Sequence, residues 1–290
     1  MNRGKSAIRT RSQYRCCKAF YGGDSIHCRT RQANCGLPYL HRRREEKMSK
    51  LVDWVKYSLR WGTPLPRQRI SSYLEWALQR DILRDYAVNC VLDVGANKGQ
   101  FARNLRRVGY QGHICSFEPI GEDYALLCAS FRQDRQWAGY NYALGSQNTR
   151  QTFHIALKST PLSSFLAPQS KDWKLREVEV EMKRLDTVFQ EVIAATGLRE
   201  PRVFLKMDTQ GYDLEVFRGA EGCLAQVVGM QSEVSVKPIY VGMPHYLDAI
   251  RTYESHGFEL HGLAEVFRHP QQNSIIEMNC VMMRPRLRPT

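Results

Sequence analysis

Short apolar runs alternate with amphipathic segments through most of this 290-residue chain. The runs have the length of strands, and the segments between them place apolar residues at helical spacing. This alternation is typical of a parallel sheet covered by helices, because a parallel strand reaches its neighbour only through a long crossover connection. The sequence therefore predicts an α/β fold in which a mostly parallel sheet has helices on both faces.

The bounds of the predicted elements follow from hydrophobic period and from turn residues. Parallel strands are predicted at 90–94, 113–117, 140–144, 203–207 and 227–234, and half-exposed strands at 152–156 and 178–182. Helices are predicted at 71–86, 101–108, 123–131, 214–224 and 246–255, with one more that begins at the capping box Thr187-x-x-Gln190 and ends at Gly197. The closing runs 258–263 and 275–283 predict an antiparallel C-terminal hairpin.

The positive charge of the chain is concentrated near its N-terminal end. The whole chain has 42 Lys and Arg against 29 Asp and Glu, a net charge of +13, and residues 1–47 have 12 against 3 of these. We expect residues 1–47 to be a basic, disordered extension, either an organellar leader or sequence upstream of a native start at Met48. Residues 48–89 are then a helical lead-in, and residues 90–285 form one α/β domain.

Composition excludes several classes of protein. Apolar residues make up 43% of the chain, which excludes disorder throughout, and no apolar run approaches the roughly 18 residues of a membrane span. The histidines and cysteines between residues 27 and 41 lack the close pairs of a zinc site. Five cysteines inside apolar segments indicate buried thiols in a reducing, cytoplasmic environment: Cys90, Cys115, Cys128, Cys223 and Cys280.

The strongest local signal is the turn after the first predicted strand, Gly95-Ala96-Asn97-Lys98-Gly99. Glycines after a buried strand let the backbone approach a ligand closely, and the helix that follows begins with free amide donors. The loop lacks the Gly-x-Gly-x-x-Gly spacing of a dinucleotide site, and Asp93 precedes its first glycine by two residues. A carboxylate there disfavours pyrophosphate and suits the cationic amino and sulfonium groups of S-adenosylmethionine.

Glu118 supplies a second acid at the end of the next predicted strand. A carboxylate at that place can accept hydrogen bonds from both hydroxyls of a ribose. Together, Asp93 and Glu118 favour a nucleoside that carries an aminoacyl group.

Six blocks of sequence in a fixed order indicate a family. The blocks are Asp93-Val94-Gly95-Ala96-Asn97-Lys98-Gly99, Phe117-Glu118-Pro119, Ala143-Leu144-Gly145, Arg184-Leu185-Asp186, Leu205-Lys206-Met207-Asp208-Thr209-Gln210-Gly211-Tyr212-Asp213 and Val216-Phe217-Arg218-Gly219-Ala220. In these blocks, residues 90 to about 283 resemble the FkbM family of S-adenosylmethionine-dependent methyltransferases. The resemblance implies a Rossmann-like class I methyltransferase fold and methyl transfer to a hydroxyl of a sugar, polyketide or other small metabolite.

The resemblance also implies which residues bind the cofactor. By position they are Asp93, Gly95, Asn97 and Gly99 around the methionine part, Glu118 at the ribose, and Asn141 with Tyr142 at the adenine. For Asn141 the alternative is that its side chain caps its own turn.

Asp208 is the predicted general base, because ligands of an open α/β sheet bind beyond the carboxyl ends of the strands and Asp208 follows such an end. Its carboxylate could take the proton of the acceptor hydroxyl as the oxygen attacks the methyl group. Lys206, two residues earlier, either pairs with Asp208 or stabilises a developing alkoxide. The alternative for both residues is a structural salt bridge between strand ends.

The predicted acceptor-binding residues are Glu233 at the end of the fifth parallel strand, His245, and Ser164 in a proline-flanked loop. A divalent metal held by Asp208 and Glu233 is less favoured than a site without metal. His245 and His154 are also weak candidates as bases, since a lone histidine is more often structural. For Ser164, an ordinary loop hydrogen bond is an equal alternative.

Three functions stay open from the sequence. The favoured one is an O-methyltransferase with a small-molecule hydroxyl acceptor, whose specificity we expect to depend on the loop 240–244. The second is a methyltransferase of RNA or another macromolecule, weakened by the balance of 30 basic against 26 acidic residues over 48–290. The third is a non-catalytic module that binds S-adenosylmethionine without turnover.

Overall fold

The computed structural model describes residues 67–286 and Val55. Residues 67–286 belong to one compact unit, Leu65–Thr290. The predicted extension at 1–47 lies outside the described residues, as does the lead-in before residue 67 apart from Val55, so the predicted domain boundaries stay predictions. No helix within this described part is long and apolar enough to cross a membrane.

Within residues 67–286 the chain forms ten strands, six α-helices and two short 3-10 helices. The strands are β1 (Cys90–Val94), β2 (His113–Phe117), β3 (Trp137–Tyr140), β4 (Ala143–Leu144), β5 (Thr149–Ala156), β6 (Leu175–Lys183), β7 (Val203–Met207), β8 (Val227–Ser235), β9 (Glu259–Arg268) and β10 (Ile275–Met283). The α-helices are α1 (Arg67–Asp85), α2 (Gln100–Arg107), α3 (Gly121–Phe131), α4 (Leu185–Thr196), α5 (Asp213–Arg218) and α6 (Tyr246–Ser255). The 3-10 helices are Thr160–Leu162 and Glu221–Gln226.

The larger sheet has seven strands in the order β3-β2-β1-β7-β8-β10-β9. Neighbours from β3 to β8 pair in parallel, whereas β10 pairs antiparallel with both β8 and β9. The predicted mostly parallel sheet with an antiparallel C-terminal hairpin is therefore confirmed. Strand order reverses between β1 and β7, and such a switch point opens a crevice at the carboxyl ends of the two strands.

Helices cover both faces of this sheet, as predicted. On one face, Val91 and Phe204 pack against α1, α2 and α3. On the other face, Leu92 and Leu205 pack against α4, α5 and α6. Successive residues of a strand point to opposite faces, so one short strand serves both cores, which is why β1 and β7 are nearly continuous apolar runs.

The predicted third strand, 140–144, is divided in the structure. β3 ends at Tyr140 beside β2, and β4 belongs to a second sheet with the order β4-β6-β5. The break falls at Asn141, whose side-chain Nδ2 donates to the carbonyl oxygen of Glu118 at 2.8 Å. This hydrogen bond holds the chain in a turn after β3, so that the next residues leave the larger sheet.

For α1, the apolar spacing in the sequence predicts that Leu74, Ala77, Leu78 and Leu83 face the core, and of these four only Leu83 is buried. Leu74 and Leu78 are 52% and 42% exposed, whereas Gln79, Ile82 and Leu83 are buried. The stripe that faces the sheet therefore lies around the C-terminal half of the helix, where it meets the apolar side chains of the sheet.

Two further helices differ from their predicted bounds. α4 begins at Leu185 with Arg184 as an N-cap that makes no side-chain cap hydrogen bond, so the predicted capping box at Thr187 is wrong, while Gly197 ends the helix at φ +72° as predicted. The predicted helix 214–224 is divided into α5 and a 3-10 helix. At the break, a Cβ on Gly219 would lie 1.9 Å from the carbonyl oxygen of Gly145, so close packing fixes the chain there.

Candidate active site

A cleft opens at the carboxyl ends of β1, β2 and β7, where the strand order reverses. Its lining residues are Val94, Gly95, Asn97, Phe117, Glu118, Pro119, Ile120, Ala143, Leu144, Phe153, Thr160, Pro161, Ser163, Phe165, Asp208, Thr209 and Gln210. Most of these side chains are apolar, and the two carboxylates among them belong to Glu118 and Asp208. Of the predicted site residues, the structure brings Gly95, Asn97, Glu118 and Asp208 together in this cleft.

Gly95 makes the turn out of β1 and touches the ends of both neighbouring strands. Its φ is +73°, and a Cβ on it would lie 2.1 Å from the carbonyl oxygen of Asp208. Its N–H donates to the carbonyl oxygen of Phe117 at 3.1 Å. Glycine alone accommodates both this φ and this approach. Gly99 serves packing instead, because a Cβ there would meet Leu127 and Phe131 of α3.

Glu118 has both carboxylate oxygens held by backbone amides. Oε2 accepts from the N–H of Asn97 at 2.7 Å, and Oε1 accepts from the N–H of Ile120 at 2.8 Å. The side-chain Nδ2 of Asn97 donates in turn to Asp123 Oδ2 at 2.7 Å and to Thr160 Oγ1 at 3.2 Å. Each carboxylate oxygen has a second lone pair, so Glu118 can still accept hydrogen bonds from a ligand.

Glu118 titrates close to neutral pH. Burial raises the pKa of Glu118 to about 7, although the hydrogen bonds from Ile120 and Asn97 lower it. The nearby carboxylate of Asp123 raises this pKa and the ammonium of Lys206 lowers it. A ligand that donates hydrogen bonds to Glu118 would favour the ionised form.

Asp93 and Lys206 form a buried ion pair beneath the cleft. Lys206 Nζ lies 3.0 Å from Asp93 Oδ1, and the side chains are 3% and 0% exposed. Lys206 also donates to the carbonyl oxygen of Gly95 at 3.2 Å. Burial alone would lower the pKa of Lys206, but the charges of Asp93 and Asp208 raise it, so the ammonium stays protonated. Asp93 therefore acts on the cleft through Lys206 and the Gly95 turn rather than from its wall.

Asp208 is the accessible carboxylate next to this ion pair. Its side chain is 41% exposed, and its Oδ2 lies 3.6 Å from Lys206 Nζ. Its Oδ1 accepts a hydrogen bond from Gln210 Nε2 at 3.2 Å. Of the two predicted roles of Lys206, the structure shows the contact with Asp208, and the same ammonium also pairs with Asp93.

Glu233 lies behind Asp208 and does not line the cleft. Its Oε2 accepts from Gln210 Nε2 at 2.6 Å. Burial raises the pKa of Glu233 well above its ordinary value, and the carboxylates of Asp208, Glu277 and Asp213 raise it further. Its link to the cleft is therefore the side chain of Gln210.

The two residues predicted at the adenine also lie outside the cleft wall. Asn141 donates to the carbonyl oxygens of Glu118 and Pro119 at 2.8 and 3.3 Å, so its side chain binds the end of β2 rather than its own turn. Tyr142 packs its ring 5.7 Å from that of Phe117 and 4.3 Å from Lys183 Nζ. The neighbouring β4 residues Ala143 and Leu144 form this part of the wall.

The remaining candidates make local contacts. Ser164 is 1% exposed, and its hydroxyl donates to the carbonyl oxygen of Gln210 at 2.8 Å, as in the loop alternative. His245 is the N-cap residue of α6 and packs on Tyr246 at 4.5 Å between ring centroids. His154 Nδ1 lies 3.4 Å from Glu177 on the adjacent strand. The described residues contain no group of three or more His, Cys, Asp or Glu side chains that could hold a metal ion.

Gln210 is the site residue that sequence reasoning missed. Its amide contacts Asp208, Glu233 and Tyr240, and its own φ is +53°. The only sequence signal was its place between Asp208 and Gly211, since glutamine has no charge or titration to draw attention. The apolar residues that line the cleft, such as Phe153 and Phe165, cannot be distinguished in the sequence from core residues, because the same residue types fill the core.

The family comparison agrees with this geometry. Residues 93–260, more than half of the chain, match the family model described as the methyltransferase FkbM domain. The comparison with curated protein sequences found no match.

Several solved structures are similar to the chain at low identity. Magnesium protoporphyrin IX methyltransferase from Synechocystis PCC 6803, with bound S-adenosylmethionine, is 10% identical, with 87% of this chain and 100% of that chain covered and a TM-score of 0.42. Fibrillarin from Aeropyrum pernix, with natively bound S-adenosylmethionine, is 12% identical over 66% of each chain, with a TM-score of 0.38. Precorrin-6y C5,15-methyltransferase from Geobacter metallireducens GS-15 is 11% identical, covering 77% and 92%, with a TM-score of 0.39.

Proposed function

Because the chain belongs to the FkbM methyltransferase family, we propose that it transfers the methyl group of S-adenosylmethionine to a hydroxyl oxygen of a small molecule. The observation that supports this most is a pair of carboxylates in one mainly apolar cleft. Glu118 and Asp208 stand at the ends of β2 and β7, on either side of the Gly95 turn.

The residues of the cleft fit S-adenosylmethionine by their chemistry. Glu118 retains lone pairs for the hydroxyls of a ribose. Apolar side chains such as Phe117, Ile120 and Leu144 suit the faces of an adenine ring. When bound, the cofactor would supply a methyl group on a sulfonium, whose carbon–sulfur bond breaks to release a neutral thioether.

Asp208 is proposed as the general base. It accepts the proton of the acceptor hydroxyl while that oxygen forms its bond to the methyl carbon, and a positioned base of this kind contributes about 10²–10⁴-fold to the rate. Lys206 is proposed to hold the Gly95 turn and to keep Asp208 beside it, through contacts at 3.2 and 3.6 Å. These roles leave the acceptor free to approach from the exposed side of Asp208.

We place the enzyme in the cytoplasm. All five cysteines of the described residues are free, and Cys90, Cys115, Cys223 and Cys280 are buried. Buried free thiols support a reducing compartment.

Asp208→Asn tests the proposed base. The variant should bind S-adenosylmethionine in calorimetry as the wild type does, while transfer of label from S-adenosylmethionine to metabolites of the source organism falls about 10²–10⁴-fold. Asp248→Asn, at an exposed position of α6, is the matched control. Unchanged turnover with intact binding would remove Asp208 as the base, and a wild type that does not bind S-adenosylmethionine would remove the methyl donor.

A further inference from the structure

Gln210 occupies the place where the accessible and the buried carboxylates of the site meet. Its Nε2 lies 3.2 Å from Asp208 Oδ1 and 2.6 Å from Glu233 Oε2. An amide nitrogen has two hydrogens, so it can donate one to each carboxylate. The residue itself is 7% exposed, and its hydrogen bond to Glu233 is buried.

The two loops above the site fix the orientation of this amide. The hydroxyl of Tyr240 lies 3.0 Å from Gln210 Oε1 and 2.8 Å from the carbonyl oxygen of Leu162. Ser164 donates from the other side to the carbonyl oxygen of Gln210 at 2.8 Å. With its oxygen facing Tyr240, the amide presents its nitrogen to the carboxylates.

The backbone of Gln210 is also constrained. Its φ of +53° lies in the left-handed region, which is costly for a residue with a long side chain. Such a conformation persists where the surrounding structure enforces it, and here Ser164 and the turn into Gly211 do so. The strained backbone points the amide at Asp208 and Glu233 together.

We propose that Gln210 is a positioning residue for Asp208: its amide bridges Asp208 and Glu233 and so holds the Asp208 carboxylate at the cleft, with Oδ2, which lies 3.6 Å from Lys206 Nζ, left to accept the proton of the acceptor. This rests on the proposed role of Asp208 as the base. Without the bridge, Asp208 Oδ1 would lose this donor, and the side chain, which is 41% exposed, would be free to turn toward solvent.

The charges around Glu233 come from several elements. Asp208 and Lys206 face it from the end of β7, Asp213 from α5 and Glu277 from β10, while the hydroxyl of Tyr240 completes the group. In register with Glu233 on β10 is Asn279, which binds Glu75 of α1. Lys206 is the one cation in this set, and it already pairs with Asp93. The amide of Gln210 is therefore the main donor available to Glu233.

Gln210→Glu is the decisive substitution because it keeps the shape and the contact to Tyr240 but removes both N–H donors. We expect kcat at about pH 8 to fall roughly tenfold to a hundredfold, since small misplacements of a base cost this much. As the pH is lowered toward about 5.5, the introduced carboxyl gains one O–H to donate, so the deficit should shrink. Gln210→Met, which has similar length and no donor, should show a deficit that does not shrink.

The titration of Glu233, followed by carbon-13 NMR with Glu233→Gln for assignment, requires no acceptor. Loss of the donor should raise its pKa by about one unit in both Gln210 variants. Gln111→Glu, an exposed change at the opposite end of the sheet, controls for added charge. The inference is wrong if the Glu233 titration is unchanged in Gln210→Met, or if Gln210→Glu and wild type keep a constant activity ratio across pH. Because the titration involves no reaction, it decides on Gln210 even where the proposed methyl acceptor is wrong.

Discussion

At Glu118, burial and hydrogen bonding act on the same carboxylate in opposite directions, and burial prevails. Its pKa is about 7 against 4.5 for an ordinary glutamate. Between these values the unfolded chain has lost a proton that the folded chain retains, so the free energy of unfolding falls as the pH rises from about 4.5 to 7 and levels off above. The contribution is about 3 kcal/mol at most.

Glu118→Gln should flatten this pH dependence. The substitution also changes the stability of the protein at every pH, because the side-chain NH2 of the glutamine would face a backbone N–H that now donates to Glu118. The quantity to compare in urea unfolding is therefore the slope of the free energy of unfolding between pH 4.5 and 7. Glu277, whose burial also raises its pKa to about 7, acts in the same window, and Glu277→Gln provides the reference. An unchanged slope in Glu118→Gln would contradict the assigned pKa.

Comparing Gly95→Ala with Gly197→Ala separates the effect of the close contact with Asp208 from the effect of a positive φ. Gly197 has a φ of +72°, nearly the +73° of Gly95, but no atom lies within 4 Å of a Cβ there, whereas Asp208 O lies 2.1 Å from a Cβ at Gly95. We expect Gly197→Ala to destabilise the fold by about 1 kcal/mol and Gly95→Ala by clearly more, with loss of S-adenosylmethionine binding. Urea unfolding and calorimetry measure both, and equal destabilisation would contradict the close contact.

The sequence predicted Asp93 beside the cofactor, and in the structure Asp93 does not line the cleft. Its carboxylate is buried in the sheet against Lys206, a partner that is 113 residues away in the chain. Gln210 could not be identified because its importance depends on Glu233 and Tyr240, which are distant in sequence. Residue spacing can be read from one stretch of sequence, whereas the contacts of the Gln210 amide form only in the folded chain.

Among the elements, the central strands were predictable and the transitions were not. β1, β2 and β7 have their predicted bounds because buried parallel strands are nearly continuous apolar runs. The division of 140–144 at Asn141, and of 214–224 at Gly219, depends on partners far away in the chain, Glu118 and Gly145. Helix and strand propensities depend on neighbouring residues, so they cannot predict such contacts.

The loops after β5 and β8 form one cover over the site. The N–H of Val241 donates to Ala167 O at 2.8 Å, and the N–H of Gln169 donates to Ile239 O at 2.9 Å. Trp173 packs on Tyr240 with ring centroids 5.8 Å apart. The predicted influence of residues 240–244 on acceptor specificity would therefore act through both loops together.

Tyr240→Phe should loosen this cover. It removes the hydroxyl that contacts Leu162 and Gln210, a loss of about 1 kcal/mol, so the amides of Gln169 and Val241 should exchange hydrogen about fivefold faster and at a common rate. Tyr246→Phe is the control, since that hydroxyl makes no hydrogen bond within the described residues. Unchanged exchange at both amides would show that the loops are held by other contacts.

At the scale of the whole molecule, most of the net positive charge lies in residues 1–47, whereas the residues that line the cleft lie between 94 and 210. Residues 1–47 have a net charge of +9 from 12 basic and 3 acidic residues, and the rest has +4 from 30 and 26. We expect any affinity for RNA to be steeply salt-dependent in the full chain and to disappear from a chain of residues 48–290. Fluorescence anisotropy with an RNA oligomer at two salt concentrations measures this, and strong salt-dependent binding by residues 48–290 would favour a nucleic-acid acceptor.

The position of β10 has a consequence for how the molecule is made. β10 is the last strand of the described residues, yet it lies between β8 and β9 in the sheet. During synthesis, β8 therefore emerges from the ribosome with an unpaired edge, and that edge stays open until Ile275–Met283 has been translated. A chain that ends before residue 275 thus contains every residue that lines the cleft but exposes an open edge of β8, which is a site for aggregation.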